Sequence, residues 1–249
     1  MGTIDEAVRL LRGRRRMLVF TGAGISTDSG IPDFRGPDGI WTKVDPADFT
    51  IERYRSDPLV RRRAWQRRVT AGFLDAQPNR GHFAVTRLWE SGRMVGCVTQ
   101  NVDGLHRAAG LPESALAELH GSAATTSCLG CGVTVPTVAI RERLEAGEAD
   151  PPCRGCGGIL KTDVVLFGET LPRHAMARAE AMAGAADAVI AVGTTLGVYP
   201  AAEIPLAVVA RGMPFVIINQ GVTDLDDMAN AVVAAPAAAA LETLVAQLG

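Results

Sequence analysis

An α/β fold built on a doubly wound parallel sheet is predicted by two observations. Short apolar runs rich in Val and Ile alternate with helix-like stretches, and the runs end in Gly, Thr, Asn or Gln. The runs at 17–21, 94–99, 164–167, 188–192 and 215–219 read as buried parallel strands, because a strand covered on both faces is apolar throughout rather than alternating. Helix-like patterns fill 78–91, 172–184 and 201–211. The Ala-rich stretch 234–248, with Leu241, Leu244 and Leu248 in helical register, closes the chain as a helix. At the other end, Thr3 and Glu6 read as a capping box ahead of a short helix whose apolar stripe is Ile4, Ala7, Val8 and Leu11.

The 249 residues suffice for one large domain, or for one domain with a small companion. With 47% hydrophobic and 21% charged residues the chain is an ordinary globular one, not a disordered tail. A net charge of −2 argues against direct nucleic-acid binding as the main work, which needs a surplus of basic side chains. No apolar run reaches the roughly 18 residues of a membrane span. Arg12, Arg14, Arg15 and Arg16 precede only four apolar residues, 17–20, short of the about 7–15 of a secretory leader. The expected location is therefore cytoplasmic.

Two segments break the α/β alternation. Residues 37–72 carry a charged helical pattern with Arg61, Arg62, Arg63, Arg67 and Arg68, expected to be a solvated helix face. Residues 124–162 carry four cysteines and the pair Pro151-Pro152. Both read as insertions that together form a smaller domain, leaving 1–36, 73–123 and 163–249 as the larger one.

Cys128, Cys131, Cys153 and Cys156 form two C-x-x-C units. In a reducing compartment this spacing points to one tetrahedral zinc ion, since a two-residue spacer lets both sulfurs of a turn face the metal. Four thiolates leave no open position, so the ion is expected to be structural. Cys97, inside the run 94–98, reads as a small buried hydrophobe.

The first strand runs into Gly22-Ala23-Gly24, where a bare backbone can approach a pyrophosphate. The third glycine of a dinucleotide fingerprint is displaced to Gly30, which argues against a plain dehydrogenase. Asp33-Phe34-Arg35 follows, and Thr99-Gln100-Asn101-Val102-Asp103 sits at another strand end, where open α/β sheets bind ligands.

Taken together, the stretches 22–36 (GAGISTDSGIPDFRG), 99–110 (TQNVDGLHRAAG), 118–121 (ELHG), the cysteine quartet, 164–169 (VVLFGE), 193–200 (GTTLGVYP) and 218–223 (INQGVT) resemble the sirtuins, NAD-dependent protein-lysine deacylases. The resemblance spans nearly the whole chain in motif order. It implies a Rossmann-like domain, with a smaller domain made of a helical module and a zinc ribbon, and NAD and an acylated lysine meeting in the cleft between them. In that chemistry the bond to nicotinamide breaks and the acyl oxygen attacks the ribose carbon. A base then activates a ribose hydroxyl, and a histidine suits that role.

The resemblance makes His120 the base and puts Asn101 with it in the catalytic set. It assigns Asn101 and Asp103 to the nicotinamide end, beside Ala23, Ile31 and the covering ring of Phe34. Gly22, Gly24, Gln100, Asp33 and Arg35 join them around ribose and phosphates. Gly193, Thr194, Thr195, Asn219, Gln220 and, near the C-terminus, Ala237 hold the adenosine half. Val164, Val165, Phe167, Gly168 and Glu169 border the peptide. His106 and His82 read as structural, and His174 as a surface residue. The chain departs from the family at Thr195, where Ser is usual, and at Lys161-Thr162-Asp163, where a Pro is common. Near the C-terminus the family tends to have a glycine followed two residues later by an alanine, and here those positions are Ala235 and Ala237. A succinyl-selective member places Tyr and Arg three residues apart in the helical insertion, whereas here Ala64 precedes Arg67. Acetyl is therefore the expected first acyl group. Mono-ADP-ribosyl transfer from the same NAD site is the competing reading, and a zinc-ribbon binding module is a more distant one.

Overall fold

The computed structural model describes residues 2–37, 39–69 and 72–249, the side chain of Val69 apart. The strands among them are β1 (Met17–Thr21), β2 (Met94–Thr99), β3 (Leu116–Glu118), β4 (Gly121–Cys128), β5 (Thr134–Pro136), β6 (Leu160–Val164), β7 (Ala188–Val192), β8 (Phe215–Ile218) and β9 (Ala231–Val233). The α-helices are α1 (Ile4–Leu11), α2 (Ile51–Ser56), α3 (Pro58–Val69), α4 (Arg80–Glu90), α5 (Leu105–Ala108), α6 (Thr137–Glu145), α7 (Arg173–Ala185), α8 (Glu203–Val209) and α9 (Ala237–Leu248).

Six strands form one sheet in the order β3-β2-β1-β7-β8-β9, every pair parallel. The period of two along β1 sends Met17 and Val19 to one face and Leu18 and Phe20 to the other, all wholly buried. Val19 joins a core with Val8 of α1, Leu88 of α4 and Leu241 of α9. Phe20 joins the opposite core with Ala179 of α7 and Val208 of α8. Each such side chain contributes roughly 1.5–3 kcal/mol, which is why β1, buried on both faces, carries no polar residue before Thr21.

A second, antiparallel sheet has the order β5-β4-β6 and carries the cysteine turns at its end. Among the described residues no helix is long and apolar enough to cross a membrane.

Helix ends follow their capping chemistry. Thr3 Oγ1 accepts from the Glu6 amide at 3.2 Å. Asn79 caps α4 by accepting from Gly81 N at 2.9 Å, so that helix starts two residues later than the sequence pattern suggests. α9 starts at Ala237, directly after Pro236 at its N-cap.

The run 164–167 corrects the sequence reading. It is not a strand of the parallel sheet: β6 ends at Val164, in the small sheet. Beyond it, Val165 N bonds His120 O at 2.8 Å, Leu166 N bonds Glu169 Oε2 at 2.8 Å and Phe167 N bonds Phe49 O at 2.9 Å. Its amides thus serve three different partners, and its apolar character reflects the lining of a cleft. Likewise β8 stops at Ile218, which leaves Asn219 in the loop.

The arginine run is a solvated face only in part. Arg62 and Arg63 are exposed, with Arg63 gripping Asp48 at 2.8 and 2.9 Å. Arg61 turns inward onto Asp150 at 2.8 Å. Arg68 reaches across to the Thr162 hydroxyl, and burial brings its pKa down to about 10. Thr162 therefore accepts a bond that ties α3 to β6.

Candidate active site

The sheet order reverses between β1 and β7, whose onward connections run to opposite sides of the sheet, so the carboxyl ends of these two strands form a topological switch point. A cavity of about 1050 Å³ opens there. Every residue assigned from the sequence to cofactor, catalysis or peptide lines it: Gly22, Ala23, Gly24, Ile31, Asp33, Phe34, Arg35, Gln100, Asn101, Asp103, His120, Val164, Val165, Phe167, Gly168, Glu169, Gly193, Thr194, Thr195, Asn219, Gln220 and Ala237.

Glycine is required in the β1 loop by a neighbour on the protein itself. A Cβ on Gly22 would lie 2.7 Å from Thr194 Cβ, and one on Gly24 would lie 2.8 Å from Gly193 Cα. The β1 and β7 loops touch backbone to backbone, and Gly24 N donates to Gly193 O at 2.8 Å. Gly30, the displaced glycine, adopts φ +82 in open space and ends a 3-10 turn. The departure from the dinucleotide pattern is thus a change of turn.

Polar side chains are locked by one another. Asn101, nearly buried, donates from Nδ2 to Gly22 O and to Ser26 Oγ, both at 3.1 Å. Ser26 Oγ donates to Asp103 Oδ2 at 2.7 Å, and Asp103 Oδ1 accepts from Leu105 N at 2.9 Å. His82 Nδ1 accepts from Asn79 N at 3.2 Å, which leaves its Nε2–H facing Ser26 Oγ at 3.4 Å. Ser26 is therefore the hub that orients both Asn101 and Asp103, and the sequence reading did not single it out. Its signal was its place within the glycine loop. Gln100 Nε2 donates to Thr194 Oγ1 at 2.8 Å, and Arg35 donates to Thr195 Oγ1 at 2.6 Å. The threonine in place of serine at 195 thus keeps the hydroxyl that holds this guanidinium.

His120 leaves β3 at the mouth of the small sheet. Its Nδ1 lies 2.8 Å from Gln100 O. A carbonyl can only accept, so Nδ1 carries the proton and Nε2 keeps a lone pair. Burial lowers the histidine's pKa, and the Gln100 carbonyl only partly opposes this. The ring is a neutral base at pH 7. His174 is exposed on α7, far from this chemistry in kind, and His82 and His106 are buried.

Four aromatic rings, two of them from the insertion, close over the cavity. Phe34 sits 5.2 Å from Trp41, Trp41 4.7 Å from Phe49, and Trp41 6.3 Å from Phe167. Phe34 and Phe167 remain 40% and 53% exposed, which leaves an apolar mouth for a ligand to cover. The sequence pointed to Phe34 and Phe167 but not to Trp41 or Phe49, which lie in the segment read only for its arginines.

Away from the cavity, the sulfur atoms of Cys128, Cys131, Cys153 and Cys156 lie within 4.8 Å of one another. The Cys128–Cys156 and Cys131–Cys153 separations are 3.5 and 3.8 Å. Four sulfurs about 2.3 Å from a tetrahedral zinc ion sit close to 3.8 Å apart, so the quartet fits that ion. Amides of Gly130 and Cys131 donate to the Cys128 sulfur at 3.3 and 3.5 Å, which favours the thiolate a metal needs. The cysteines also close a small core of Trp65, Cys128, Ile140, Cys153 and Leu160. So few buried side chains need a staple, and a structural zinc supplies on the order of 10 kcal/mol. Cys97 is buried on β2, with burial pushing its thiol up to about 12.

A parallel sheet with its cleft at the switch point, lined by the glycine loops after β1 and β7 and by residues of the 37–72 segment, defines an α/β protein built to hold a dinucleotide. The Sir2 family model matches residues 22–200, and the chain belongs to that family. It is 43% identical over 241 residues to NAD-dependent protein deacetylase 2 of Streptomyces coelicolor, covering 96% of this chain and 100% of that one. The NAD-dependent protein deacetylase of Sulfolobus acidocaldarius is also 43% identical, over 216 residues, 87% of this chain and 83% of its own. A solved Sir2 complex with deacetylated p53 peptide and 3'-O-acetyl ADP-ribose superposes with TM-score 0.90 at 34% identity, covering 98% of this chain and 96% of that one. A Sir2 complex with p53 peptide and NAD+ superposes with TM-score 0.87 at 33% identity over 98% of each.

Proposed function

We propose that the protein removes acyl groups, acetyl first, from protein lysines at the expense of NAD, releasing nicotinamide and O-acyl-ADP-ribose. The observation that carries this reading is His120, neutral and held by Gln100 in the same cavity as the glycine loop and the Asn101–Asp103 cluster. A dehydrogenase needs no base of this kind beside the ribose, whereas acyl transfer to ribose does.

In this reading Gly22, Ala23, Gly24 and Ile31 cradle the nicotinamide half of NAD, with Asp103 as acceptor for the carboxamide. Arg35 and Gln100 face the phosphates and ribose, and Thr194, Thr195, Asn219, Gln220 and Ala237 face the adenosine. Asn101 orients the reacting ribose. Phe34 keeps water from the ribose carbon once nicotinamide has left. His120 Nε2 takes the proton of a ribose hydroxyl, which makes that oxygen the nucleophile toward the acyl carbon. The substrate backbone runs between 164–169 and the insertion as an added strand. The cleft lies between a larger domain of residues 1–36, 73–123 and 163–249 and a smaller one of 37–72 and 124–162. When zinc is bound by the four cysteines it holds the small domain and does no chemistry. Four thiolates of this kind suit a reducing cytoplasm.

Incubation with NAD and an acetyl-lysine peptide tests the reading. Nicotinamide, free lysine and O-acetyl-ADP-ribose should appear in equal amounts. Nicotinamide release with ADP-ribose fixed to protein, and no free lysine, would favour mono-ADP-ribosyl transfer instead.

A further inference from the structure

Behind the cavity wall lies a buried chain of polar groups that the reaction as described does not use. His106, on α5, is nearly wholly buried. Its Nε2 lies 2.9 Å from Thr21 Oγ1, Thr21 Oγ1 donates to Thr99 Oγ1 at 2.8 Å, and Thr99 Oγ1 accepts from the backbone N–H of Asn101 at 3.0 Å. The two threonines are the last residues of β1 and β2, paired side by side in the sheet. Direction in the chain follows from the hydrogen count. The single proton of Thr21 goes to Thr99, so Thr21 must accept from His106 and Nε2 must carry the imidazole proton. The other nitrogen, Nδ1, is buried without a partner. It is then a bare lone pair, which a protein tolerates better than a buried N–H with no acceptor. Neutrality is consistent with this: burial drives the His106 pKa down to about 3. Asn101 is thus fixed twice, its side chain by Gly22 and Ser26 and its backbone by this relay.

We propose that His106 is a positioning residue for the reaction, setting the backbone of Asn101 through Thr21 and Thr99 so that the Asn101 side chain meets the ribose in the reactive orientation. His106, Thr21 and Thr99 do not line the cavity. The proposal rests on Asn101 acting at the ribose, as in the function given above.

The test compares the full-length protein with His106→Leu, Thr21→Val and His106→Gln, whose side-chain amide can donate from nearly the place of Nε2. Two readouts are taken: kcat and KM for NAD in nicotinamide release with an acetyl-lysine peptide, and amide hydrogen exchange at Asn101 in the free protein. His106→Leu and Thr21→Val should each lower kcat by about 10- to 100-fold, the cost of a small misplacement at the reacting centre, with KM for NAD little changed. The Asn101 amide should exchange faster in both. His106→Gln should restore most of kcat and the slow exchange. The double variant should be no worse than His106→Leu, because both substitutions break one chain. Where His106→Leu does not fold, Thr21→Val carries the test. Leu and Val variants that keep kcat within about twofold and leave Asn101 exchange unchanged overturn the proposal, as does a Gln variant as impaired as Leu. A parent protein that releases no nicotinamide would sink the proposed function, while the exchange measurement would still decide the relay.

Discussion

His120 Nδ1 and the carbonyl of Gln100 are joined at 2.8 Å, so the residue that follows β2 fixes the tautomer of a histidine two positions beyond β3. Because these strands are parallel neighbours, the sheet itself aims the base. Replacing His120 by Ala should lower deacylation by about 10²- to 10⁴-fold, the usual worth of a general base. NAD affinity should stay within a few-fold, since the cradle of glycine backbone is untouched. Deacylation within a few-fold of the parent would remove His120 from the base role.

The pH profile follows from the same bond. Neutral His120 is the competent form, and burial lowers its pKa below the ordinary 6.5. Activity should therefore be retained at pH 6.5 and lost only as pH falls through the lower folded value. A limb of kcat/KM centred above 6.5 would contradict this assignment.

Much of this was legible in the sequence, and the exceptions have physical causes. Strands β1, β2 and β7 were readable because both faces are covered and every residue except the terminal Thr21 and Thr99 is apolar. The three-residue edge strands β3 and β9 were not, because so short a stretch shows no period. Residues 164–167 misled because an apolar cleft lining has the composition of a buried strand. In the site, the glycines, His120 and the cysteines stood out by type and spacing. Ser26 and Thr21 did not, because a hydroxyl gains its role only from partners as far as 85 positions away in the chain. Trp41 and Phe49 were hidden for the same reason.

Stability should depend on pH through the buried histidines. Burial lowers His82 to about 4 and His106 to about 3, and lowers His120 as well. Unfolded histidines titrate near 6.5. Between those values the unfolded chain binds more protons than the folded one, so stability rises with pH across the window and levels off above it. Glu118, raised by burial, offsets part of this in the lower part of the window. The Tm should be at least about 5 °C lower at pH 5 than at pH 7.5. His106→Gln, which cannot titrate there, should flatten the curve, and a parental Tm independent of pH over this range would refute the account.

Loss of zinc should unfold the small unit first. Trp65 shares its core with Cys128 and Cys153. Cys128→Ser, or an excess of chelator, should remove the metal, shift Trp65 emission to the red and lower Tm, because metal binding here is folding energy on the order of 10 kcal/mol. Deacylation should fall with it, although no thiolate touches the cavity. A Cys128 variant holding one zinc per chain at the parental Tm would show that the quartet is not the metal site.

Acyl choice is decided by what surrounds Arg67. Its guanidinium lies 4.8 Å over the ring of Phe49, and it lines the cavity with Asp48, Tyr54 and Ala64. Asp48 stays ionised: the bond from Arg63 is the largest cause of its lowered pKa, and that carboxylate repels another. The Tyr54 hydroxyl is buried and donates to Leu160 O at 2.8 Å, so it is already used. Ala64, one turn before Arg67, offers a methyl group and no donor. A succinyl carboxylate entering here would meet one partly satisfied cation, one nearby anion and no hydroxyl. Burying a charged acceptor with its hydrogen bonds incomplete costs about 1–3 kcal/mol or more, a tenfold or larger loss. An acetyl methyl carries no such demand and fits among the rings. On one peptide backbone, kcat/KM for acetyl-lysine should exceed that for succinyl-lysine by at least about tenfold. Ala64→Tyr, which restores a hydroxyl three residues from Arg67, should narrow the gap. Succinyl-lysine turned over more efficiently than acetyl-lysine by the parent protein would show that Arg67 is free to bind the acid, and that Phe49 and Asp48 do not hold its charge.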